Sequence, residues 1–501
     1  MNLQEPLVSN LGRRGWAVLL LAGLVLVSIA ATRGIEYDEG YTIFLASGTA
    51  RPVWPDAPFR AGAAIAATRG NSSLDGIAAD LRRGDVHPPL YFWAVAGWRA
   101  VLGEGLFVTR LFSVLCALGA LALAGGIARA CAAPTALAML LTLGCYGFAY
   151  TGAIARGFAL ALLLALAGVW AALRGEQARR PAWALCAGMF LGAASFTNYL
   201  AIFMTGAVLA WLALGLWSRP IRAAWLIGAT ILGLLPWLAA DVSMFLAQRG
   251  SRTAQFPPFD LVASLTRLAH YMAAAIFGGL PLYAGAARGL VAAALAGLLL
   301  LLLLGLLRRV WKWHPALLFG AVAPPAGLLA LGMLFNTTPI ELRYLAFATP
   351  FVGILLAAVI ADLPRRAGPI VLGLVLAVQA TSIIGLITRP ETMQPQAAAA
   401  RGAAQLAGPD ALVLLPRGND GVGVAGAFLL AAAPGVRVQI VPPNLSSASV
   451  FPRLVLVLLG LDQDSRAAVA DMTVWFAAEP CWRRAASAPQ LQAYDWTCRV
   501  E

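Results

Sequence analysis

The stretch Gly289–Leu307 reads GLVAAALAGLLLLLLLGLL, and none of its 19 side chains is polar or charged. A run of about 20 apolar residues is long enough to cross the hydrocarbon of a bilayer as a helix. Similar runs occur at Trp16–Ala31 and Phe351–Asp362. The chain is 60% hydrophobic and 12% charged, whereas soluble domains are about 25% charged. The sequence therefore predicts a polytopic helical membrane protein.

The net charge of +13 does not indicate a nucleic-acid partner, because the basic residues are spread over loops instead of one face. Arg-bearing loops of membrane proteins favour the cytoplasmic side. Placing such loops inside gives about eleven transmembrane helices, a cytoplasmic N-terminus and an external C-terminal region. The predicted spans are 15–33, 110–128, 134–151, 155–173, 182–197, 199–217, 222–242, 287–307, 315–335, 343–361 and 368–388.

The first outer loop, residues 34–109, contains two predicted helices. Leu74, Ile77 and Leu81 recur at helical spacing with charged residues opposite, which is typical of an amphipathic helix in the membrane interface. A second apolar helix, rich in aromatic residues, is predicted over 88–102 and begins at Pro88. It is too short to be assigned as a transmembrane span, so we expect it also to lie at the interface. This loop is assigned to a transmembrane domain comprising residues 1–388.

Residues 389–501 differ in character and predict a small α/β domain on the outer side. Three β-rich runs, Ala411–Leu415, Val436–Val441 and Leu454–Leu459, are separated by helical stretches at about 421–433 and 464–477. Cys481 and Cys498 lie in this polar region. Because an external location is oxidising, we predict a disulfide between them.

A Gly421-Val-Gly-Val-Ala-Gly426 motif follows the first strand of that domain. It has two interpretations: a dinucleotide-binding fingerprint, or the Gly/Ala-rich start of a helix. No acidic residue lies between Asp420 and Asp462, so the ribose-binding acid expected about 20 residues on is missing. We favour the helix start.

Three acids, Glu36, Asp38 and Glu39, stand side by side directly after the first span. Carboxylates near membrane depth are functional candidates by default. Adjacent residues do not share a helical face, so Asp38 and Glu39 are expected to have different roles. A solvated helix end is the alternative interpretation.

Further candidates lie at the outer ends of helices. His87 is one of three histidines and stands in Asp85-Val-His87-Pro-Pro-Leu-Tyr91, where the proline pair fixes the backbone. Arg156 and Arg343 would each need an anionic partner, such as a carboxylate, a lipid headgroup or a bound phosphate. Snorkelling to the interface is the alternative for each arginine singly.

These motifs, taken in order, resemble one family. The acidic pair after the first span, DVHPPLYFW before GLFVTRLFSVL, Arg156 in AIARGFAL, TNYL at Thr197–Leu200 and ELRYLAFATP together resemble the polyprenyl-phosphate-dependent GT-C glycosyltransferases. The most similar groups are the bacterial relatives of protein O-mannosyltransferases and the aminoarabinose and RgtA/B/C/D-like transferases. The resemblance covers roughly residues 15–388.

The resemblance implies an inverting sugar transfer from a polyprenyl-phosphate donor, with Asp38 as general base and Glu39 as an orienting acid. Chemistry supports these roles, because an attacking hydroxyl needs base assistance and a departing phosphate needs positive charge. The site residues it implies fall into two further groups. The predicted donor-phosphate ligands are His87, Arg156, Arg343 and Tyr344. The predicted substrate-binding residues are Asp85, Tyr91, Asn198 and Tyr199.

Some features depart from the family pattern or leave alternatives open. Some relatives have Lys where His87 stands, and TNYL departs from the commoner His-containing form. The three scattered histidines predict no metal site, and no cofactor is indicated. The resemblance implies a bacterial inner membrane location with a periplasmic active site, and a glycolipid, polysaccharide or protein acceptor. The sugar is not specified. A transporter or flippase of a lipid-linked or anionic substrate, or a lipid-binding assembly subunit, are the alternatives.

Overall fold

The computed structural model describes residues 11–49, 51–178, 180–248, 257–279, 284–307, 313–389, 394–408, 410–419, 421–441 and 451–498. The chain divides into two compact units. The helical unit comprises Met1–Thr32, Leu81–Tyr91 and Arg110–Thr388, and the mixed unit comprises Arg33–Asp80, Phe92–Thr109 and Arg389–Glu501. One boundary between the units lies between Thr388 and Arg389, and residues 33–80 and 92–109 fall in the mixed unit.

Helices make up most of the described residues. In chain order they are α1 (Gly12–Thr32), α2 (Tyr37–Ala46), α3 (Gly62–Ala67), α4 (Leu74–Gly84), α5 (Leu90–Leu102), α6 (Leu106–Ala130), α7 (Thr135–Gly144), α8 (Tyr146–Ala153), α9 (Phe158–Ala178), α10 (Pro181–Ser195), α11 (Ile202–Leu214), α12 (Pro220–Ala247), α13 (Leu261–Phe277), α14 (Arg288–Leu307), α15 (Pro315–Phe335), α16 (Thr349–Ala361), α17 (Ala367–Thr388), α18 (Gln396–Ala407), α19 (Ala427–Ala431) and α20 (Gln463–Ala478).

Six of the helices in the described ranges are long and apolar enough to cross a membrane: α1, α6, α9, α12, α15 and α17. The pair α7 and α8 makes a seventh candidate, bent by 71° at Cys145. Each of the eleven predicted spans falls on helical residues, but the predicted single span 134–151 is this broken pair. Several other apolar helices, among them α10, α11, α13 and α16, are shorter. Helix length alone therefore does not establish the predicted number of eleven transmembrane helices.

Small residues allow close helix packing inside the helical unit. A Cβ built on Gly188 of α10 would overlap the Thr230 carbonyl of α12, and one on Gly233 of α12 would overlap the Leu185 carbonyl of α10. On α9, a Cβ at Gly168 would lie 2.6 Å from Leu191 Cγ. Without a hydrophobic force between helices in lipid, such close backbone approach is a main source of association. The glycines therefore fix how α9, α10 and α12 pack.

The mixed unit is built on a six-stranded sheet of order β1-β3-β2-β4-β6-β5. Its strands are β1 (Phe59–Arg60), β2 (Ala411–Pro416), β3 (Arg437–Val441), β4 (Arg453–Val457), β5 (Trp482–Ala488) and β6 (Leu491–Trp496). The three predicted strands correspond to β2, β3 and β4, which run parallel to one another. Strand β1 comes from the first outer loop and pairs antiparallel with β3, Phe59 opposite Val438. The loop and the C-terminal region thus share one sheet.

The hairpin β5–β6 is closed by a covalent bond. Cys481 precedes β5, Cys498 follows β6, and their sulfurs form a disulfide. Thr497 N–H donates to the Cys481 carbonyl at 2.8 Å beside it.

Helix α4 forms where the amphipathic pattern predicts it. Its apolar residues Ile77, Ala78 and Leu81 are buried by protein, however, while Leu74 at its start is exposed. The predicted interfacial face is therefore largely covered by the protein itself, because amphipathic spacing is the same for a membrane surface and for a protein core.

Candidate active site

The predicted site residues are divided between the units. Eight of them lie in the helical unit, and Asp38 and Glu39 lie in the mixed unit. Those in the helical unit are Asp85, His87, Tyr91, Arg156, Asn198, Tyr199, Arg343 and Tyr344.

Arg156 stands in the short turn between α8 and α9. The turn is tight, with the Arg156 N–H donating to the Ile154 carbonyl at 2.8 Å. The next residue is Gly157, where an added Cβ would lie 3.3 Å from both the Thr197 carbonyl and Tyr91 Cβ. A larger residue would push these neighbours away. The break between two buried helices therefore holds a guanidinium that is only 4% exposed.

Asp85, His87 and Arg156 form one cluster. His87 Nδ1 lies 2.6 Å from Asp85 Oδ1, and Arg156 Nη2 lies 3.1 Å from His87 Nε2. Burial by itself would raise the pKa of Asp85, but the charge and hydrogen bond of His87, the charge of Arg156 and the Val86 N–H together lower it to about 2. Asp85 is thus ionised, and it orients the imidazole through Nδ1.

Gln248 holds the backbone of this cluster, and the sequence analysis missed it. Its Nε2 donates to the His87 carbonyl at 2.8 Å and to the Leu81 carbonyl at 3.2 Å. The Tyr199 hydroxyl donates to Gln248 Oε1 at 3.0 Å. The sequence signal was weak, because Gln248 follows only the short apolar stretch Met244–Ala247 and stands next to Arg249. The predicted span 222–242 stopped too early to include it, because α12 continues to Ala247.

Arg343 and Tyr344 lie in the short 3₁₀ helix Leu342–Phe347. Arg343 Nε is 2.6 Å from Glu341 Oε2, and its guanidinium lies 5.5 Å from the centre of the Tyr344 ring. Arg156 is close enough to act electrostatically on both Asp85 and Tyr344, which links this segment to the cluster of Asp85, His87 and Arg156.

Tyr91 and Asn198 have structural contacts in the helical unit. Tyr91 is 1% exposed and its ring lies 6.1 Å from that of Phe112. Asn198 Oδ1 accepts from the Leu200 N–H at 3.0 Å and caps the turn before α11. These contacts explain why the two side chains are ordered, and their predicted role in substrate binding stays a prediction.

Asp38 and Glu39 lie in the first turn of α2, within the mixed unit. Glu36 precedes the helix and pairs with Arg33 at 2.6 Å, both side chains being buried. Glu39 Oε2 accepts from the Glu36 N–H at 3.1 Å and so caps the helix start. Glu36 and Glu39 thus both stabilise the start of α2. Asp38 is buried as well, and its role as the base stays a prediction.

Across the described ranges, no group of three or more His, Cys, Asp or Glu side chains is arranged to hold a metal ion.

Part of the chain matches a known protein family. Residues 86–240 match the family of dolichyl-phosphate-mannose-protein mannosyltransferases. That segment includes His87, Arg156 and Tyr199 but neither Asp38 nor Arg343. No curated protein sequence matches the chain.

The fold is similar to that of ArnT from Cupriavidus metallidurans. The apo structure of ArnT aligns with a TM-score of 0.52 at 15% identity, covering 96% of this chain and 97% of ArnT. The structure of ArnT bound to undecaprenyl phosphate aligns with a TM-score of 0.53 at 15% identity, covering 96% and 98%. At this identity the likeness shows a common fold. The shared fold and the family match over residues 86–240 confirm the predicted resemblance: the chain has an ArnT-like GT-C fold, and that segment is similar to glycosyltransferases of the matched family.

Proposed function

We propose that the protein transfers a sugar from a polyprenyl-phosphate donor to an acceptor hydroxyl, with inversion, at the periplasmic face of a bacterial inner membrane. Two comparisons support the donor class. The description of the matched family names dolichyl-phosphate-mannose. One structure of ArnT, which has the same fold, has undecaprenyl phosphate bound. The acceptor is a glycolipid, a polysaccharide or a protein, and the sugar is left open.

The cluster of Asp85, His87 and Arg156 carries the proposal. A leaving polyprenyl phosphate gains negative charge as its bond to the sugar breaks, so preorganised cations beside it stabilise the transition state. Arg156 supplies a permanent charge on a planar fork that suits phosphate oxygens. His87, 3.1 Å from Arg156, adds a ring nitrogen that Asp85 orients. This is the chemistry that a lipid-phosphate donor requires.

Asp38 is the proposed general base. Its carboxylate takes the proton of the acceptor hydroxyl while that oxygen forms a bond to the anomeric carbon. The bond from the anomeric carbon to the phosphate oxygen breaks, and its electron pair leaves with the phosphate. One displacement inverts the configuration. Asp38 is the acid to test first, because the resemblance to GT-C glycosyltransferases implies a base at its position.

The test is complementation of a strain that lacks the gene, read by mass spectrometry of envelope glycans. We expect the deletion to lose one sugar substituent and wild type to restore it. Arg156→Met should reduce the restored fraction by about 10²-fold or more, and Asp38→Asn by about 10²- to 10⁴-fold. The matched controls are Arg174→Met, at the opposite end of α9, and Asp75→Asn, on the exposed start of α4. Both should restore wild-type levels at equal expression.

Full restoration by Asp38→Asn would remove the base assignment. Full restoration by Arg156→Met would remove the phosphate role of the cluster. Accumulation of the lipid-linked sugar on the cytoplasmic face alone in the deletion strain would favour the flippase alternative instead.

A further inference from the structure

The Gly421–Gly426 segment of the mixed unit contacts the helix that carries Asp38. The segment follows β2 and forms one π-helical turn over Val422–Gly426. Its glycines lie against side chains of α2. A Cβ built on Gly423 would overlap the Tyr37 ring, and one on Gly426 would lie 2.7 Å from Phe44 Cε2. The two glycines therefore make room for two aromatic rings of α2.

Helix α2 also has a glycine where it contacts the Gly421–Gly426 segment. On α2 itself, a Cβ built on Gly40 would lie 3.2 Å from the Val422 carbonyl and 3.3 Å from Ala427 Cβ. Gly40 is thus another point at which side chains larger than hydrogen would separate the helix from the segment. Close backbone approach through glycine on both sides is the mark of a fixed docking geometry.

Neighbouring groups hold the same arrangement. Trp54 Nε1 donates to the Gly421 carbonyl at 2.7 Å, and the positive φ of 70° at Gly421 favours glycine there. Phe44, Val422 and Val424 belong to one buried apolar cluster. The N–H of Tyr37, the residue before Asp38, donates to Gln394 Oε1. Helix α2 is therefore held at its start and along one face by the C-terminal region.

These contacts also decide between the two interpretations of the motif. A dinucleotide fingerprint needs its glycines so that backbone approaches a pyrophosphate. Here the space above Gly423 and Gly426 is filled by the Tyr37 and Phe44 rings. The glycines serve packing against α2.

We propose that Gly423 and Gly426 are positioning residues that set the place of the Asp38 carboxylate through α2. This inference rests on the proposed role of Asp38 as base. A general base has to lie within hydrogen-bond reach of the proton that it removes, and a displacement of about 1 Å can cost about 10²-fold in rate. With only ten residues, α2 depends on tertiary contacts for its position. Through α2, the motif gives the C-terminal region an indirect part in catalysis.

The first experiment measures the docking itself, by hydrogen exchange of the full-length protein in detergent. Gly423→Ala should speed amide exchange in residues 37–46 and leave the strands β2 and β4 unchanged. Gly435→Ala is the matched control, because Gly435 is an exposed glycine of the same unit around which an added Cβ meets nothing within 4 Å. Should Gly423→Ala fail to accumulate, Gly426→Ala is the alternative variant with the same expected result.

The second experiment separates positioning from general damage. In the glycan complementation assay, Gly423→Ala should lower sugar transfer by about 10- to 100-fold, while Gly435→Ala does not. Binding of undecaprenyl phosphate to the purified protein should be unchanged in Gly423→Ala and weakened in Arg156→Met. Tyr37→Leu, which removes the overlapping ring, should recover part of the transfer lost by Gly423→Ala.

Unchanged exchange in residues 37–46, or wild-type transfer by Gly423→Ala, would overturn the inference. So would a loss of transfer that Tyr37→Leu does not relieve. These outcomes differ from failure of the proposed function, which would appear as full transfer by Asp38→Asn whatever the Gly423 variants show.

Discussion

At the scale of single residues, neighbouring acids have different tasks. Glu36 neutralises Arg33 in a buried pair. Glu39 accepts a hydrogen bond from the Glu36 N–H and so caps the start of α2. The carboxylate of Asp85 lies in the other unit and orients His87. Acidic residues are rare in this chain, 23 of 501, and Glu36, Glu39 and Asp85 are buried. Burying a carboxylate is costly unless it is paired or hydrogen-bonded, so each needs a defined partner.

The depressed pKa of Asp85 predicts an acid-sensitive contribution to stability. Its pKa is about 2 instead of 3.8, so the ionised form stabilises the folded state above about pH 4. This contribution, about 2 kcal/mol, is lost as the pH falls from about 4 to 2. We expect the thermal unfolding temperature of wild type in detergent to drop over that range, and Asp85→Asn to lack this part of the drop.

Asp75, an exposed aspartate, provides the control for the acid dependence of Asp85. Asp75→Asn should show the same acid dependence as wild type, because Asp75 is exposed at the start of α4. An identical acid profile for wild type and Asp85→Asn would contradict the assigned interaction with His87 and Arg156.

At the scale of elements, the backbone carbonyls freed by the break between α7 and α8 need hydrogen-bond donors from inside the helical unit. The last carbonyls of a helix lack partners within it, and no water is present in hydrocarbon to replace them. Gln379 of α17 donates from Nε2 to the Leu141 carbonyl at 3.2 Å and to the Ile276 carbonyl at 3.1 Å. It thus serves the C-terminal ends of α7 and α13 together. Helix α8 is eight residues long and ends at Ala153, just before the turn that carries Arg156.

Removing this amide should destabilise the bundle. We expect Gln379→Leu to lower the free energy of unfolding by about 1–3 kcal/mol, because two buried carbonyls lose their donor. Equilibrium unfolding in mixed detergent micelles measures the change. Thr381→Val on the exposed side of α17 is the control and should change stability by less than about 0.5 kcal/mol. Equal stability of the two variants would show that the Gln379 bonds contribute nothing.

At the scale of the whole molecule, sequence order and compact units do not coincide. Residues 33–80 and 92–109 belong to the same unit as the C-terminal region. Strand β1 extends the sheet of that region, and the Gly421–Gly426 segment packs on α2. Most of the first loop and residues 389–501 therefore form one compact unit, in which the disulfide closes the terminal hairpin.

Loss of the disulfide should weaken the mixed unit. A closed loop of 17 residues between Cys481 and Cys498 is worth about 3 kcal/mol by loop-closure entropy. We expect the double variant Cys481→Ser/Cys498→Ser to unfold at lower denaturant, followed by fluorescence of Trp482 and Trp496. Cys186→Ser, which removes an exposed free cysteine, is the control. Free-thiol labelling of both cysteines in the folded wild-type protein would contradict the bond.

The sequence by itself determined the class, the helical segments, the three strands β2, β3 and β4 and the resemblance to GT-C glycosyltransferases. Apolar runs and turn residues are local signals, and they identify elements without reference to partners. It also selected His87, Arg156 and Asp85, because charged residues in an apolar chain are conspicuous.

Only the tertiary structure decided what these elements contact. The break at Cys145, the hold of Gln248 on the His87 backbone, the covered face of α4 and the docking of α2 on the Gly421–Gly426 segment all depend on residues far apart in the chain. A glycine shows in sequence that space is needed but not which ring fills it. Contacts between distant segments follow from packing, and packing is fixed only when all the elements have been brought together.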